Sequence, residues 1–195
     1  MLRLALLVAL SCATNATSQC CFKDGDVISL KSDKGTYMGR CTNCVWNGAF
    51  DNSAFVHVPS PGTARKAQWT VVNTGNGKIA LQADSGKYLA RCNNCAPGAA
   101  YPDEAFVHVT DWKKAPWAQW TCKDVGDGKV ALQADSGKYL ARCKNCVGAA
   151  YSNAAFVHAQ SPNEGSWQYA LAFVDDGAYD TTLYVYASAY YATVH

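Results

Sequence analysis

The chain has 195 residues, 49% of them hydrophobic and 12% aromatic, which is enough apolar surface to offset the entropy of ordering and excludes a disordered tail. Its formal net charge of +2 gives no electrostatic footprint for nucleic acid or for an anionic membrane surface, and both are set aside as partners.

The chain opens like a secretion signal. Arg3 supplies a positive start, Leu4 to Leu10 form an apolar run too short to span a membrane, and Ser11, Ala13 and Ala16 are small residues suited to cleavage. Residues 1–18 are therefore expected to be removed, and the mature protein to be extracellular and to pass through an oxidising compartment. Cleavage after Ala16 also destroys the sequon Asn15-Ala16-Thr17.

Beyond the signal the sequence repeats itself. DVISLKSDKGTYMGRCTNC, KIALQADSGKYLARCNNC and KVALQADSGKYLARCKNC are each followed by a second block, which reads SAFVHV, EAFVHV and AAFVHA, and then AQWTVV, AQWTCK and SWQYAL. Tyr37, Tyr88 and Tyr139 stand 51 residues apart, as do Cys41, Cys92 and Cys143. The copies span about 24–73, 74–125 and 126–174, inside one domain at 19–174.

Period-two alternation marks four strands per copy. In the second copy these are Lys78 to Ala83, Lys87 to Cys92 after the turn Asp84-Ser85-Gly86, Ala105 to Val109 after a loop with Pro97, Gly98 and Pro102, and Ala118 to Lys123. Helical periodicity is absent. Twelve short antiparallel strands have to hide their edges, and three copies do so most simply by closing about a pseudo-threefold axis. The expected fold is all-β, a β-trefoil of three tandem four-stranded repeats; three units are few for an open solenoid or a propeller.

The phrases GKIALQADSGKYLAR and GKVALQADSGKYLAR, with AQWTV closing the unit, resemble the fascin-like β-trefoil superfamily over Asp24 to about Phe173. The resemblance implies the trefoil fold, and either actin binding or, for secreted members, carbohydrate binding. The Gln and Trp that ricin-type lectins place two positions apart are not matched, since Gln68-Trp69 and Gln119-Trp120 are adjacent and Trp167-Gln168 is reversed.

Of ten cysteines, Cys12 lies in the signal and six form the pairs Cys41/Cys44, Cys92/Cys95 and Cys143/Cys146. Each C-x-x-C pair follows a strand, where a turn brings the ends close enough for a local disulfide worth about 2 kcal/mol. Zinc needs two pairs to converge, and threefold symmetry is expected to spread them apart, so neither metal nor other cofactor is expected. Cys20 or Cys21 is expected to pair with Cys122, leaving an odd thiol that is free or joins two chains. The Tyr-rich tail 175–195 aligns loosely with the first hairpin of a fourth copy, and either packs outside the domain or pairs with another chain in a homo-oligomer.

For ligand binding the candidates are Phe55 and His57, Phe106 and His108, and Phe156 and His158, on the strand face opposite the valines. If that face is exposed the pairs can stack on sugar rings; if it is covered they fill the crevice between hairpins, with the imidazole bonded to a backbone carbonyl. Arg91 and Arg142 are further candidates, although such heads also reach solvent without a ligand. Trp112 and Trp117, beside Lys113 and Lys114, mark the least symmetric loop. A catalytic site needs different residue types converging on one point, whereas three copies of one histidine are spread about an axis, so no enzyme is expected. The expected function is a secreted, multivalent module that binds carbohydrate or an extracellular protein. The alternatives are an assembly protein cross-linked through disulfides and tail, or an actin-bundling protein.

Overall fold

The structure, a computed structural model, describes residues 20–62 and 64–172; the expected signal and the tail at 175–195 lie outside the described residues. The described residues contain twelve strands in three sets of four. The first copy supplies β1 (Val27–Lys31), β2 (Tyr37–Thr42), β3 (Asn52–Val58) and β4 (Trp69–Asn73). The second supplies β5 (Ile79–Gln82), β6 (Tyr88–Asn93), β7 (Asp103–Val109) and β8 (Thr121–Gly126). The third supplies β9 (Lys129–Gln133), β10 (Tyr139–Lys144), β11 (Asn153–Ala159) and β12 (Ser166–Ala172). No helix among the described residues is long and apolar enough to cross a membrane.

Six strands close a ring. β1 pairs with β4, β4 with β5, β8 with β9, β9 with β12, and β12 returns to β1 from Val27 opposite Ala172 to Lys31 opposite Gln168. A bridge between Ile79 and Trp120 joins the second copy to itself and completes the circuit. The remaining strands form the hairpins β2–β3, β6–β7 and β10–β11. Their second strands meet pairwise at one end of the ring, with Ser53 opposite Phe106, Glu104 opposite Phe156 and Ala154 opposite Phe55. Among the described residues, closure leaves no long exposed edge of the kind that invites aggregation.

The ring is filled by residues of one phase from nine strands: Ile28, Leu30, Met38, Val56, Leu81, Leu89, Val107, Leu132, Leu140 and Val157 are all buried. Three tryptophans anchor it. Trp69, Trp120 and Trp167 are buried, and their indole N–H groups donate to the carbonyls of Met38, Leu89 and Leu140 at 3.2, 3.1 and 2.9 Å, so the only polar atom of each ring is satisfied. A bulge opens each hairpin, at Tyr37/Met38, Tyr88/Leu89 and Tyr139/Leu140, where Met38, Leu89 and Leu140 enter the ring and the tyrosines pack in smaller clusters outside it. The Asp-x-Gly turns before these hairpins need a residue with positive φ, as at Gly86 (+77°).

Disulfides join Cys41 to Cys44, Cys92 to Cys95, Cys143 to Cys146 and Cys20 to Cys122. The three C-x-x-C pairs border a second buried cluster where the hairpins meet. No cysteine among the described residues is free, and Cys21 is disulfide-bonded.

Candidate functional site

The site is built where the three hairpins meet. Alternation along β3 sends Ala54 and Val56 into the ring and Ser53, Phe55 and His57 to the other face. That face is covered. The loop after each C-x-x-C pair folds beneath it and is tied to the next copy by a backbone bond, Ala49 N–H to the Cys95 carbonyl (2.8 Å), Ala100 to Cys146 (2.7 Å) and Ala150 to Cys44 (2.8 Å). Phe55, Phe106 and Phe156 are consequently fully buried with the disulfides in the second cluster. Their rings hold the hairpins together and present no surface to a ligand.

The histidines two residues further along sit at the margin of this cluster and are half-buried. His57 and His158 direct Nδ1 to the carbonyls of Phe55 and Phe156, at 3.1 and 3.3 Å. Burial pushes all three imidazoles below their ordinary value, because the charged form loses hydration. Each carries an aromatic ring contributed by the preceding copy. Phe50 lies on His108 with ring centroids 4.3 Å apart, Tyr101 on His158 at 4.6 Å, and Tyr151 on His57 at 4.6 Å. Phe50, Tyr101 and Tyr151 remain 41%, 40% and 45% exposed. Each stack therefore shows solvent part of an aromatic ring fixed from behind, three times around the axis.

These three aromatics were missed from the sequence, although they recur at intervals of 51 and 50 residues. They sit in a loop whose other residues vary, so the run Asn-Gly-Ala-Phe beside Ala-Ala-Tyr did not stand out as a repeat. A fourth ring breaks the symmetry. Trp46 is 64% exposed, donates its backbone N–H to Gly148 at 3.0 Å, and lies against that glycine so closely that a Cβ there would stand 3.1 Å from the indole.

The arginines have partners inside the fold. Arg91 grips Asp135 with two nitrogens (2.7 and 2.9 Å) and also donates to Asp103 (2.8 Å); Arg142 grips Asp33 (2.6 and 2.8 Å), and Arg40 grips Asp84 (2.6 and 2.9 Å). Each bond runs from one copy to the hairpin turn of the next, and the third returns to the first. The guanidiniums hold Asp33, Asp84 and Asp135 below the usual carboxylate range. Arg91 and Arg142 thus spend their fork geometry on the fold.

Trp112 and Trp117 lie in the loop between β7 and β8, on short 3-10 turns at Trp112–Lys114 and Pro116–Ala118. Trp112 packs against Ala90, Val109, Ala115 and Ala118, with the Lys113 ammonium 5.8 Å from its ring centre. Trp117 is 39% exposed. They form a separate patch belonging to one copy.

No protein-family model matches the sequence, and no curated protein is significantly similar to it. Solved structures are similar in fold. The SDF2-like protein from Arabidopsis thaliana superposes with a TM-score of 0.59 at 17% identity, over 75% of this chain and 92% of that one. The designed 3-fold symmetric protein ThreeFoil gives 0.52 at 21%, over 73% and 96%. An exo-beta-1,3-galactanase from Clostridium thermocellum gives 0.56 at 14%, over 77% of this chain and 31% of that chain. At such identities the likeness is one of fold alone, and it places the chain among all-β, trefoil-like structures.

Proposed function

We propose that this chain is a β-trefoil of three tandem repeats, folded over residues 19–174, that acts as a secreted, non-enzymatic module binding carbohydrate at several equivalent points. The observation that carries the reading is the set of three half-exposed rings arranged about one axis, Phe50 and Tyr101 stacked on a histidine and Tyr151 tilted against one at 34°. The face of an aromatic ring suits the C–H face of a pyranose, and a ring fixed in advance loses little entropy on binding. Arg40, Arg91 and Arg142 are engaged by aspartates, which leaves the aromatic rings as the contact surface. Secretion is supported by the signal-like start and the disulfides. Membership of the fascin-like superfamily rests on the GKYLAR phrases, and the disulfides argue against a cytoplasmic actin-binding role.

Each site is small and weak by itself, so useful affinity comes from several engaging one polymer. Pull-down with insoluble neutral polysaccharides, compared between the natural chain and the triple variant Phe50→Ala, Tyr101→Ala, Tyr151→Ala, tests the reading. Retention of the natural chain and loss of the variant is expected. Equal retention of both, or no binding to any polysaccharide, overturns it.

A further inference from the structure

The three copies differ at one buried position of the second cluster. Ser53, Glu104 and Ala154 are equivalent, and each sits where two hairpins cross. Glu104 is 0% exposed, and neither carboxylate oxygen has a hydrogen-bond partner; the Ser53 hydroxyl, also buried, has none either. Two residues along a strand span about 6.6 Å, so Glu104 and Phe106, which lies opposite Ser53, bring both unsatisfied groups to the same crossing region.

The surroundings are apolar. Glu104 lies opposite Cys92 on β6 and Phe156 on β11, and the covering loops at 43–50, 94–101 and 145–151 contain no charged residue. No titratable group on the strands packed against β7 makes a hydrogen bond to Glu104. Arg91 of β6 is on Asp103 and Asp135, and Tyr88 of β6 packs with Ala90 and Val109. His57 of β3 and His158 of β11 turn Nδ1 to carbonyls and lie against tyrosines, and the buried His57 Nε2 has no partner and does not donate to Glu104. On β7 itself Asp103 is held by Arg91 and His108 lies under Phe50. An ionised carboxylate at this point would have neither a cation nor an N–H, whereas a neutral one is tolerated.

We propose that Glu104 is a proton latch on the hairpin triplet: closing the loops over it takes up a proton, and giving up that proton lets the loops swing away. The proposal does not depend on what the aromatic stacks bind. It does reach them, because Phe106, two residues from Glu104, packs on Phe50 with centroids 6.1 Å apart, and Phe50 forms the stack on His108.

The direction follows from proton counting. Burial raises the carboxyl from its ordinary 4.5 to about 8 in the closed form, while an opened loop returns it to solvent. Between those two values only the closed form holds the proton, so the fraction open grows about tenfold per pH unit; below and above that window it is level. The full change is on the order of a thousandfold.

Amide hydrogen exchange on the full chain between pH 5 and 9, corrected for intrinsic rates, reads this directly at Ala49, Ala100 and Ala150, whose N–H groups tie the loops together. Their protection is expected to fall about tenfold per unit up to pH 8 and then level off. Ile79 and Trp120 in the ring, whose amides are bonded to each other's carbonyls, are expected to stay better protected than the loop amides at every pH, because they open only when the whole domain unfolds. In Glu104→Gln the loop amides lose the pH dependence, and Glu104→Ala, which installs the residue of the third copy, serves if the amide variant fails to fold. A level profile in the natural chain, the same slope in either variant, or loop amides as well protected as those of the ring overturns the latch.

Discussion

Glu104 and the stacked histidines push stability in opposite directions with pH. The folded carboxyl has a raised value, so the folded state holds an extra proton between 4.5 and about 8, and stability falls as pH rises through that window. Glu104→Ala is expected to stabilise the fold by about 3 kcal/mol at pH 8 and by under about 1 kcal/mol at pH 5, read from urea midpoints at the two values. His57, His108 and His158 have lowered values, so the unfolded chain takes protons first and their contribution declines as pH falls below 6.5. The Arg-held aspartates add a further loss only below about 3.8. Arg91→Ala strands the nearly buried Asp103 and frees Asp135, and is expected to cost about 2 kcal/mol. Arg142→Ala is expected to cost less, because Asp33 is largely exposed; thermal melts of the two variants side by side decide the order.

At the scale of strands and loops, the sequence was informative about phase and silent about cover. Alternation placed Phe55 and His57 on the face opposite Val56, as the structure has them, but period two says nothing about what lies over that face. The loops from Cys44 to Phe50 and their counterparts lie over it, and their mutual hydrogen bonds join residues about fifty positions apart. For the same reason Arg91 and Asp135 were each recognised as repeated but not as partners. The disulfides follow a similar division. Cys92–Cys95 closes a loop of few residues, whereas Cys20–Cys122 spans a separation of 102 and restricts the unfolded chain far more. Removing the long bridge with Cys20→Ser and Cys122→Ala is expected to cost about 4–5 kcal/mol, against about 2 kcal/mol for Cys92→Ala with Cys95→Ala, as chemical denaturation of both variants will measure.

For the whole molecule, the strand count, the four strands per copy and the closure were all legible, because a period of 51 residues written three times leaves few ways to hide twelve edges. The departures from symmetry were not. Trp46, the Trp112 loop and Glu104 each belong to one copy, and nothing in the repeat predicts where the copies part. A polymer touching several stacks binds through their sum, so Tyr101→Ala alone is expected to lower apparent affinity for a long polysaccharide by about tenfold and leave a short oligosaccharide bound at the other sites; titration with both lengths distinguishes this from one dominant site.

The grip of Arg142 on Asp33 spans 109 residues, and Val27 pairs with Ala172. A growing chain therefore emerges from the ribosome for most of its length with its earliest segments lacking their final neighbours. Assembly has to wait for the last copy and then proceed slowly, as it does for topologies rich in distant contacts. On the proposed route of secretion, such a delay keeps the polypeptide thin enough to be threaded through a narrow channel before it acquires a shape.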